Sequence, residues 1–508
     1  MKIPSIEQIR DCDTYTIENE PIASIDLMER AAQKCFEILS KHLTGNEKIG
    51  IVCGMGNNGG DGLALARMLA QRGYICQVAI VQHAQHYSPD CQTNLARLQN
   101  LEKNKTQITF FDNPKSILNF ENCGIIIDAI LGSGLNKLID NQILISVITQ
   151  INSIADKCSK KVISIDIPTG LFAQQPMPEN AIAVKADYTI TFQFPKLSFF
   201  TENAYPYVGE WTVADIGLSK EFIQKIETPY YLTEDKTIEN ENITVSKFAH
   251  KGTFGHGLLI AGSKSMLGAA ILSAKAALRG GIGRLTVHIP QVGYTVMQTA
   301  VPEAMCLTDS NENVFTSVDF KALSAYNVIA IGPGLGKNAA TAQGIKKLIG
   351  DYGNPIIFDA DAINLLAENK TWLEFLPPDC IFTPHIKEFE RLVGDCKNWQ
   401  ESMEKQRNFS TRHRCIVVLK GAYTRISSPY GGFYFNNTGN PGLATPGSGD
   451  VLTGIILALK ARGFTSLYAA IKGVWLHGKA ADFALQKQSM ESIIASDIID
   501  YLRFVKKR

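Results

Sequence analysis

Short apolar runs recur along the whole chain, and most are followed by a glycine-containing turn and a stretch with helical periodicity. Parallel strands that are covered on both faces have such continuous apolar sequences, because neither face needs polar residues. The runs lie at 49–53, 75–81, 124–130, 162–167 and 188–194 in the first half, and at 257–261, 285–289, 328–331, 356–358, 380–382 and 416–419 in the second. The pattern predicts an α/β fold built on parallel sheets.

The segments between these runs indicate helices and a domain boundary. Helical periodicity predicts helices at 63–72, 90–101, 145–158, 450–461 and 467–486, and the paired glycines within 424–434 predict a β-hairpin. The stretch 222–246 is polar and acidic and has no clean periodicity, which is typical of a boundary between domains. We therefore predict two domains, residues 1–225 and residues 226–508.

Charge and cysteine content exclude several classes of protein. The 50 Lys and Arg residues nearly balance the 49 Asp and Glu residues, so electrostatics alone would not attract a nucleic acid or an anionic membrane. No apolar run approaches the ~18 residues of a membrane span, and the start MKIPSIEQIRDCD lacks the apolar core of a signal peptide. The 11 cysteines show no C-x-x-C spacing, which argues against a disulfide framework or a zinc site. We expect a soluble protein of the reducing cytoplasm.

The segment 49–63, IGIVCGMGNNGGDGL, predicts a strand, a glycine-rich loop and a helix. Positions 54–59 match G-x-G-x-x-G, but the next strand lacks the terminal acid with which a dinucleotide fold holds ribose. Backbone N–H groups presented at a helix N-terminus bind anions such as phosphate. The loop is either such an anion site or only a tight turn, and the polar Asn57, Asn58 and Asp61 among the glycines favour the anion site.

Asp128, Asp166 and Thr169 follow two further apolar runs. Because the carboxyl ends of parallel strands converge on one crevice, these side chains and Asn58 can meet. A cluster of oxygen donors suits a hard cation and does not suit zinc. The structural alternative is that each aspartate only caps the turn that follows it.

The motifs GMGNNGGDG, DAILGSGLN and DIPTG, in that order, resemble the N-terminal domain of bifunctional NAD(P)H-hydrate repair enzymes over roughly residues 1–225. The resemblance implies a three-layer, Rossmann-like domain that epimerises the hydrated nicotinamide cofactor. It implies a potassium ion held by Asn58, Asp128 and Thr169, which replaces a more usual serine, and Asp166 as a catalytic residue. The residues implied to bind the hydrate are Asn57, Asn58, Gly59, Gly60, Asp61, Gly132, Ser133, Gly134, Leu135, Asn136, Lys137, Leu138 and Asp166.

A second glycine-rich loop opens a long apolar helix at 440–454, NPGLATPGSGDVLTG. Gly447 and Gly449 free the backbone to present N–H groups, and Asp450 places a carboxylate in the same anion site. A carboxylate beside a phosphate repels it, so its useful role is that of a base for a hydroxyl that attacks a phosphoryl group. The structural alternative is an acid that only stabilises the helix start.

Other glycine-rich or polar segments also follow apolar runs, at 332–336, 359–364, 385–388 and 420–424, and together they indicate one crevice. A Walker-type ATPase is excluded, because Ser263 stands where its P-loop needs lysine and no Ser or Thr follows Lys337.

The ordered motifs KGTFGHGLLIAGS, GPGLG, DADAIN, TPH, KGAYT and GSGD resemble the ribokinase-like ADP- or ATP-dependent NAD(P)H-hydrate dehydratases over about residues 230–508. The resemblance implies catalysis by Asp450 and magnesium bound with ADP or ATP. It implies hydrate contacts from Ala270, Gly334, His385 and Asp450, and nucleotide contacts from Lys420, Gly421, Ala422, Tyr423, Thr424 and Gly449. Ile386-Lys387 and Tyr423 depart from the family pattern, and these departures bear on nucleotide preference.

Taken together, the motifs predict a two-activity enzyme for metabolite repair. It would epimerise the R and S hydrates of NADH and NADPH and then dehydrate the S form by phosphorylation and phosphate elimination. The partners would be the hydrate and an adenine nucleotide, and the family implies a homo-oligomer. The alternative is a ribokinase-like vitamin kinase fused to a non-catalytic binding or scaffolding domain.

Overall fold

The chain divides into two compact units, one formed by Lys2–Thr228 and one that begins at Pro229. A computed structural model describes residues 1–20, 22–45, 47–101, 106–240 and 245–505. The division falls inside the polar stretch 222–246, which is not a plain linker. Tyr230–Leu232 within it forms a strand of the second unit, and Asp235–Asn240 forms a short helix.

The first unit contains seven strands among its described residues, in one sheet of order β3-β2-β1-β4-β5-β6-β7 in which every pair is parallel. The strands are β1 (Ile49–Cys53), β2 (Cys76–Val81), β3 (Thr106–Phe111), β4 (Ile125–Ala129), β5 (Lys161–Ile165), β6 (Tyr188–Phe192) and β7 (Glu210–Ala214). The helices are α1 (Ile6–Asn19), α2 (Ser24–Leu39), α3 (Asn57–Gln71), α4 (Pro89–Gln99), α5 (Gln142–Cys158), α6 (Tyr205–Val208) and α7 (Lys220–Lys225).

The order of this sheet places a crevice at the ends of β1 and β4. From β1 the chain runs outward to β2 and β3, and then returns to lay β4 on the other side of β1. Both central strands are buried along their whole length, which accounts for their apolar sequences. Ligands of open α/β sheets bind where the strand order reverses in this way.

The sequence pattern did not predict the edge strands β3 and β7. In β3, exposed and partly buried residues alternate and only Phe111 is buried, and β7 is partly exposed through most of its length. An edge strand is covered on fewer sides than a central one, so it can carry polar residues and lacks a continuous apolar run. The helices α1 and α2 were also not predicted.

The expected start of α3 at residue 63 is wrong, because the helix begins at Asn57. The glycines of its first turns pack directly against β1 and β4. A Cβ on Gly59 would lie 2.1 Å from the carbonyl oxygen of Gly54, and one on Gly62 would lie 2.5 Å from the Cβ of Ala129. This close packing overrides the weak helix propensity of glycine.

The second unit contains ten strands among its described residues, in the order β11-β10-β9-β12-β13-β14-β15-β16-β17-β8. The strands are β8 (Tyr230–Leu232), β9 (His256–Ile260), β10 (Arg284–Ile289), β11 (Met305–Thr308), β12 (Val328–Ile331), β13 (Ile356–Phe358), β14 (Ile381–Phe382), β15 (Ile416–Leu419), β16 (Arg425–Ser427) and β17 (Phe433–Phe435). The helices are α8 (Asp235–Asn240), α9 (Leu267–Gly280), α10 (Tyr294–Ala300), α11 (Ala339–Asp351), α12 (Ala360–Glu368), α13 (Ile386–Val393), α14 (Trp399–Arg412), α15 (Ser448–Ala461), α16 (Ser466–Leu485) and α17 (Ala495–Val505).

Most pairs of the second sheet are parallel, and only the predicted hairpin of β16 and β17 introduces antiparallel pairs among the described strands. Separate apolar clusters include residues of α9, α15 and α16 and residues of α11, α12 and α14. The α/β class and its parallel sheets are therefore confirmed. None of the described helices combines the length and apolar character that a membrane span requires.

Two candidate active sites

The first candidate site lies at the carboxyl ends of β1, β4 and β5, where three segments meet. A Cβ on Gly132 would lie 3.0 Å from Oδ2 of Asp166 and 3.4 Å from the Cβ of Asn58. Gly132 follows β4, Asp166 follows β5, and Asn58 lies in the first turn of α3. The structure therefore brings these sequence-predicted residues together, and the missing side chain at Gly132 leaves space between them.

Asp128 lies at the centre of a buried hydrogen-bond network. Its Oδ1 accepts hydrogen bonds from Oγ1 of Thr169 at 2.6 Å and from the backbone N–H of Ile130 at 3.3 Å. Its Oδ2 accepts from the backbone N–H of Thr169 and from Oγ of Ser164, both at 2.8 Å. Burial raises the pKa of Asp128, and these hydrogen bonds oppose the rise. Asp128 therefore caps its turn and also joins β5 to the loop that carries Thr169.

Asn58 supplies the observation that distinguishes this site from a structural turn. It is 8% exposed, and neither its Oδ1 nor its Nδ2 has a hydrogen-bond partner within the described residues. A buried amide without partners costs free energy, and a bound group could supply the partner that the described residues do not. Oxygens of Asn58, Asp128 and Thr169 are donors that a hard cation prefers, so the residues present fit a potassium ion.

Asp166 is held in a strained and charged state. Its φ of 66° lies in the left-handed region, which aspartate tolerates better than most residues. Its Oδ1 lies 2.8 Å from Nζ of Lys196, and its Oδ2 accepts a hydrogen bond from the backbone N–H of Ser133 at 2.9 Å. Burial alone would raise the pKa of Asp166, but Lys196 and Ser133 hold it below its ordinary value. The carboxylate form is therefore favoured.

Sequence reasoning missed Lys196 and Asp13, which belong to the same electrostatic cluster. Lys196 is 3% exposed, and its ammonium also donates to Oγ1 of Thr191 at 2.9 Å and to the carbonyl oxygen of Phe194 at 3.2 Å. Burial, with repulsion from Asp166, raises the pKa of Asp13 to about 6. No motif surrounds either residue, and the unpredicted α1 carries Asp13, so only the fold reveals them.

The other residues predicted to bind the hydrate occupy two environments. Asp61 is buried, and burial together with the charges of Asp166, Asp13 and Asp90 raises its pKa well above the ordinary value. Asn57 is exposed at the start of α3, whereas Gly59 and Gly60 are buried in its first turn. The loop that follows β4 reaches the surface, where the exposed residues are Gly134, Asn136, Lys137 and Leu138. Ser133 and Leu135 are partly buried.

The second candidate site is organised around the first turn of α15. Gly447 adopts a φ of 87°, and no side chain of the described residues caps the helix start, where backbone N–H groups can bind an anion. Asp450 lies in this turn. Burial, and then the charge of Asp359, raise the pKa of Asp450 to about 7, with a further contribution from Asp361 and opposition from Lys420. Such a carboxyl is suited to accept a proton near neutral pH.

The predicted nucleotide residues divide between the inner site and its edge. Nζ of Lys420 lies 3.2 Å from Oδ1 of Asp359 and 3.3 Å from the position of a Cβ on Gly449, so Lys420 and Gly449 meet at the helix start. Thr424 closes a tight turn by donating to the carbonyl oxygen of Gly421 at 3.0 Å. Gly421 and Ala422 are exposed, and Tyr423 is partly exposed beside them.

His385 begins α13 and is fixed by its own helix. Its Nδ1 accepts hydrogen bonds from the backbone N–H groups of Lys387 at 3.2 Å and Glu388 at 3.4 Å, and its Nε2 lies 3.3 Å from Oε1 of Glu388. Burial lowers the pKa of His385, which favours the neutral ring. Because Nδ1 accepts, the proton resides on Nε2. Ile386 and Lys387, which depart from the family pattern, form the first turn of this helix.

Ala270 and Gly334 are the remaining residues predicted to contact the hydrate, and both are buried. Ala270 is completely buried in α9. Gly334 adopts a φ of 63°, and a Cβ on it would lie 2.5 Å from the carbonyl oxygen of Met266, just before α9. The structure therefore places Gly334 tightly against the start of α9, where a larger residue would not fit.

His477 on α16 contacts the start of α15. It is buried, but its Nε2 lies 3.0 Å from the carbonyl oxygen and 3.2 Å from Oγ of Ser448, in the first turn of α15. Burial lowers the pKa of His477 to about 4, so the ring is neutral. Asp482 on the same helix accepts hydrogen bonds from the backbone N–H of Gly439 at 3.0 Å and from Nδ2 of Asn440 at 3.1 Å. Helix α16 thus holds both ends of the glycine-rich loop.

Comparison with known proteins gives matches to both halves. A family model for NAD(P)H-hydrate dehydratase matches residues 257–503, and a model for the N-terminus of YjeF-related proteins matches residues 24–198. The bifunctional NAD(P)H-hydrate repair enzyme of Moorella thermoacetica is 33% identical over 99% of this chain and 96% of its own. That of Coxiella burnetii is 34% identical over 98% of this chain and 97% of its own.

A solved structure is similar to the second half. The ADP/ATP-dependent NAD(P)H-hydrate dehydratase of Bacillus subtilis, co-crystallised with ATP and Mg²⁺, is 28% identical, with a TM-score of 0.47. The match covers 54% of this chain and 97% of that chain.

Proposed function

The chain belongs to the family of bifunctional NAD(P)H-hydrate repair enzymes, and from this premise we propose how its two sites share the repair. Lys2–Thr228 epimerises the hydrated cofactor, and the unit that begins at Pro229 dehydrates it with an adenine nucleotide. The observation that carries the proposal is that one chain holds both a buried carboxylate site after β5 and a carboxylate at the uncapped start of α15. A vitamin kinase would have no use for the first of these sites, so the alternative is not favoured.

In the first site we assign the proton transfers to Asp166. Inverting a carbon that bears a hydroxyl requires a bond to that carbon to break and re-form, with one proton removed and one returned. Asp166 is ionised by Lys196 and lies beside the space left by Gly132, so it can remove that proton and return it. The N–H groups at the start of α3 are placed to bind an anionic part of the cofactor.

We propose that Asn58, Asp128 and Thr169 hold a potassium ion in this site. When bound, the ion would supply a positive charge next to the buried Asp128 carboxylate and would give the Oδ1 of Asn58 its missing partner. Thr169 keeps the hydroxyl of the serine that is more usual in the family, so the donor set is complete.

In the second site we assign the role of general base to Asp450. The attacking hydroxyl of the hydrate must lose its proton as the phosphoryl group is transferred, and Asp450 accepts that proton. The uncapped N–H groups of α15 stabilise the charge on the phosphates. Magnesium would arrive with the nucleotide and neutralise part of that charge, since it is usually held by phosphates together with few protein ligands. The bond between the ring carbon and the phosphate oxygen then breaks, and the neighbouring ring carbon loses a proton, so the double bond of NAD(P)H forms again.

We also propose a location and an assembly state for the whole protein. All 11 cysteines are free thiols, which supports the reducing cytoplasm as its location. Assembly as a homo-oligomer is expected from the family.

The full chain should interconvert the two epimers of hydrated NADH without any nucleotide. The first site contains its own anion-binding segment and base, and it needs no phosphoryl donor. A single purified epimer incubated with the enzyme should reach the equilibrium mixture, as followed by chromatography, and ADP or ATP should then convert it to NADH. Equilibration no faster than in buffer alone would contradict the assignment.

Replacing Asp128 with alanine should weaken epimerisation, and potassium should partly restore it. The substitution removes one of three cation ligands, so a higher concentration is needed for the same occupancy. Binding can also be measured without activity, because potassium should raise the melting temperature of the parent more than lithium does at equal ionic strength. This difference should shrink in the variant.

Ser164→Ala is a matched control for Asp128→Ala. It removes one hydrogen bond to Oδ2 of Asp128 and leaves all three cation ligands in place. The control should therefore retain the potassium-dependent rise in melting temperature. If potassium affects neither the epimerase activity nor the melting temperature of the parent more than lithium does, the metal assignment is wrong.

A further inference from the structure

Asp359 is a deeply buried carboxylate next to the second site that none of the roles above uses. It follows β13 directly and is 1% exposed. Its Oδ1 accepts a hydrogen bond from Oγ1 of Thr383 at 2.8 Å and lies 3.2 Å from Nζ of Lys420. Its Oδ2 accepts a hydrogen bond from Oγ1 of Thr453 at 2.7 Å. One carboxylate thus joins the residues that follow β13, β14 and β15 to helix α15.

These contacts converge on the helical turn that carries Asp450. Thr453 lies three residues after Asp450, and residues at this spacing are neighbours on a helix surface. The ammonium of Lys420 lies beside Gly449, where the absence of a side chain leaves room for it. Asp359 therefore fixes two groups next to Asp450, one by a hydrogen bond and one by an ion pair.

The charged groups that face Asp450 come from several elements. Asp359 and Asp361 follow β13, and Lys420 follows β15. His477 of α16 is kept neutral by burial, and His385 at the start of α13 is also favoured in its neutral form. Burial has the largest effect on the pKa of Asp450, and among the charged groups Asp359, which raises it, and Lys420, which lowers it, have larger effects than Asp361.

We infer that Asp359 is a positioning residue for the dehydration reaction: it holds Lys420 and the first turn of α15 in place around Asp450, and it keeps a fixed negative charge behind that base. The inference rests on the proposed role of Asp450 as the base. It predicts that a neutral residue at position 359 changes the pH dependence of dehydration as well as its rate, which a purely structural residue would not do.

The test compares pH profiles of nucleotide-driven NADH recovery for full-length variants with hydrated NADH. In Asp359→Asn the like charge is lost, so the acid limb should move to lower pH, toward the ordinary aspartate range. For a shift of about one pH unit from a limb near 7, the ratio of variant to parent rate should rise about fivefold between pH 8 and pH 6. In Lys420→Met the opposing positive charge is lost, so the limb should move to higher pH.

Thr453→Val separates positioning from charge. It removes the hydrogen bond to Oδ2 and leaves every charge in place, so the rate at saturating substrate should fall while the acid limb stays at the parent pH. The epimerase rate and the melting temperature of each preparation serve as folding controls. If Asp359→Asn does not fold, the rate of Thr453→Val still decides, because this variant removes the hydrogen bond by which Asp359 holds α15.

Unshifted acid limbs in both Asp359→Asn and Lys420→Met would overturn the inference while leaving the proposed function intact. An unchanged rate in Thr453→Val would overturn the positioning part. Failure of the proposed function looks different, since the parent itself would then not recover NADH, or Asp450→Asn would remain active.

Discussion

Replacing Asp450 with asparagine should slow nucleotide-driven dehydration by about 10²–10⁴-fold, the usual contribution of a general base. Asparagine is nearly isosteric with aspartate but cannot accept the proton that the attacking hydroxyl loses. Nucleotide affinity should be unchanged or improved, because a negative charge beside the phosphates is removed. The effect should therefore appear in kcat and not in KM for the nucleotide.

The pH dependence provides a second measure of the same residue. Because burial and the neighbouring carboxylates raise the pKa of Asp450 to about 7, the parent rate should fall as the pH drops through that value. The sign follows from the reaction, since only the deprotonated carboxyl can act as a base. This acid limb should be absent from Asp450→Asn, while epimerisation on the same preparation continues at the parent rate. A variant that recovers NADH within a few-fold of the parent would show that Asp450 only stabilises the helix start.

Replacing Asp166 with asparagine should reduce epimerisation by about 10²–10⁴-fold and leave dehydration of the S epimer unchanged. The backbone should tolerate the change, because asparagine is also accepted in the left-handed region that Asp166 occupies. The variant should, however, lose stability, since Lys196 would remain buried without its carboxylate. Removing one partner of a buried ion pair costs about 3–5 kcal/mol.

A double variant separates the loss of stability from the loss of chemistry. Asp166→Asn combined with Lys196→Met removes both charges, so the melting temperature should recover part of its decrease. Epimerisation should stay at the level of the single variant, because the base is still missing. Recovery of activity together with stability would mean that Asp166 only supports the fold.

The sequence predicted those strands whose burial on both faces requires a continuous apolar sequence. Strands such as β12 and β15 are covered on both faces and are apolar throughout, so their position can be read directly. The motif before α15 is equally clear, because glycines there free the backbone to present N–H groups at the helix start. The edge strands β3 and β7 lack a continuous apolar run, so the sequence pattern did not predict them.

The contacts that set the chemistry of the sites could not be predicted from local patterns. Lys196 contacts Asp166, Lys420 contacts Asp359, and His477 contacts Ser448, across sequence separations of 30, 61 and 29 residues. Lys420 was expected in the nucleotide loop, and nothing in KGAYT indicates that its ammonium pairs with a buried carboxylate. Such pairs arise from the packing of elements that are distant in the sequence, so no local pattern predicts them.

The helical geometry of the first turns of α3 depends on the strands that pack against them. Gly59, Gly60 and Gly62 give this segment little tendency to form a helix alone, and its geometry comes from contact with β1 and β4. The N–H groups that would bind the cofactor are therefore aligned only after the sheet has formed. Because the same contacts fix the start of α3, a side chain at Gly59 or Gly62 would displace these N–H groups together with the helix.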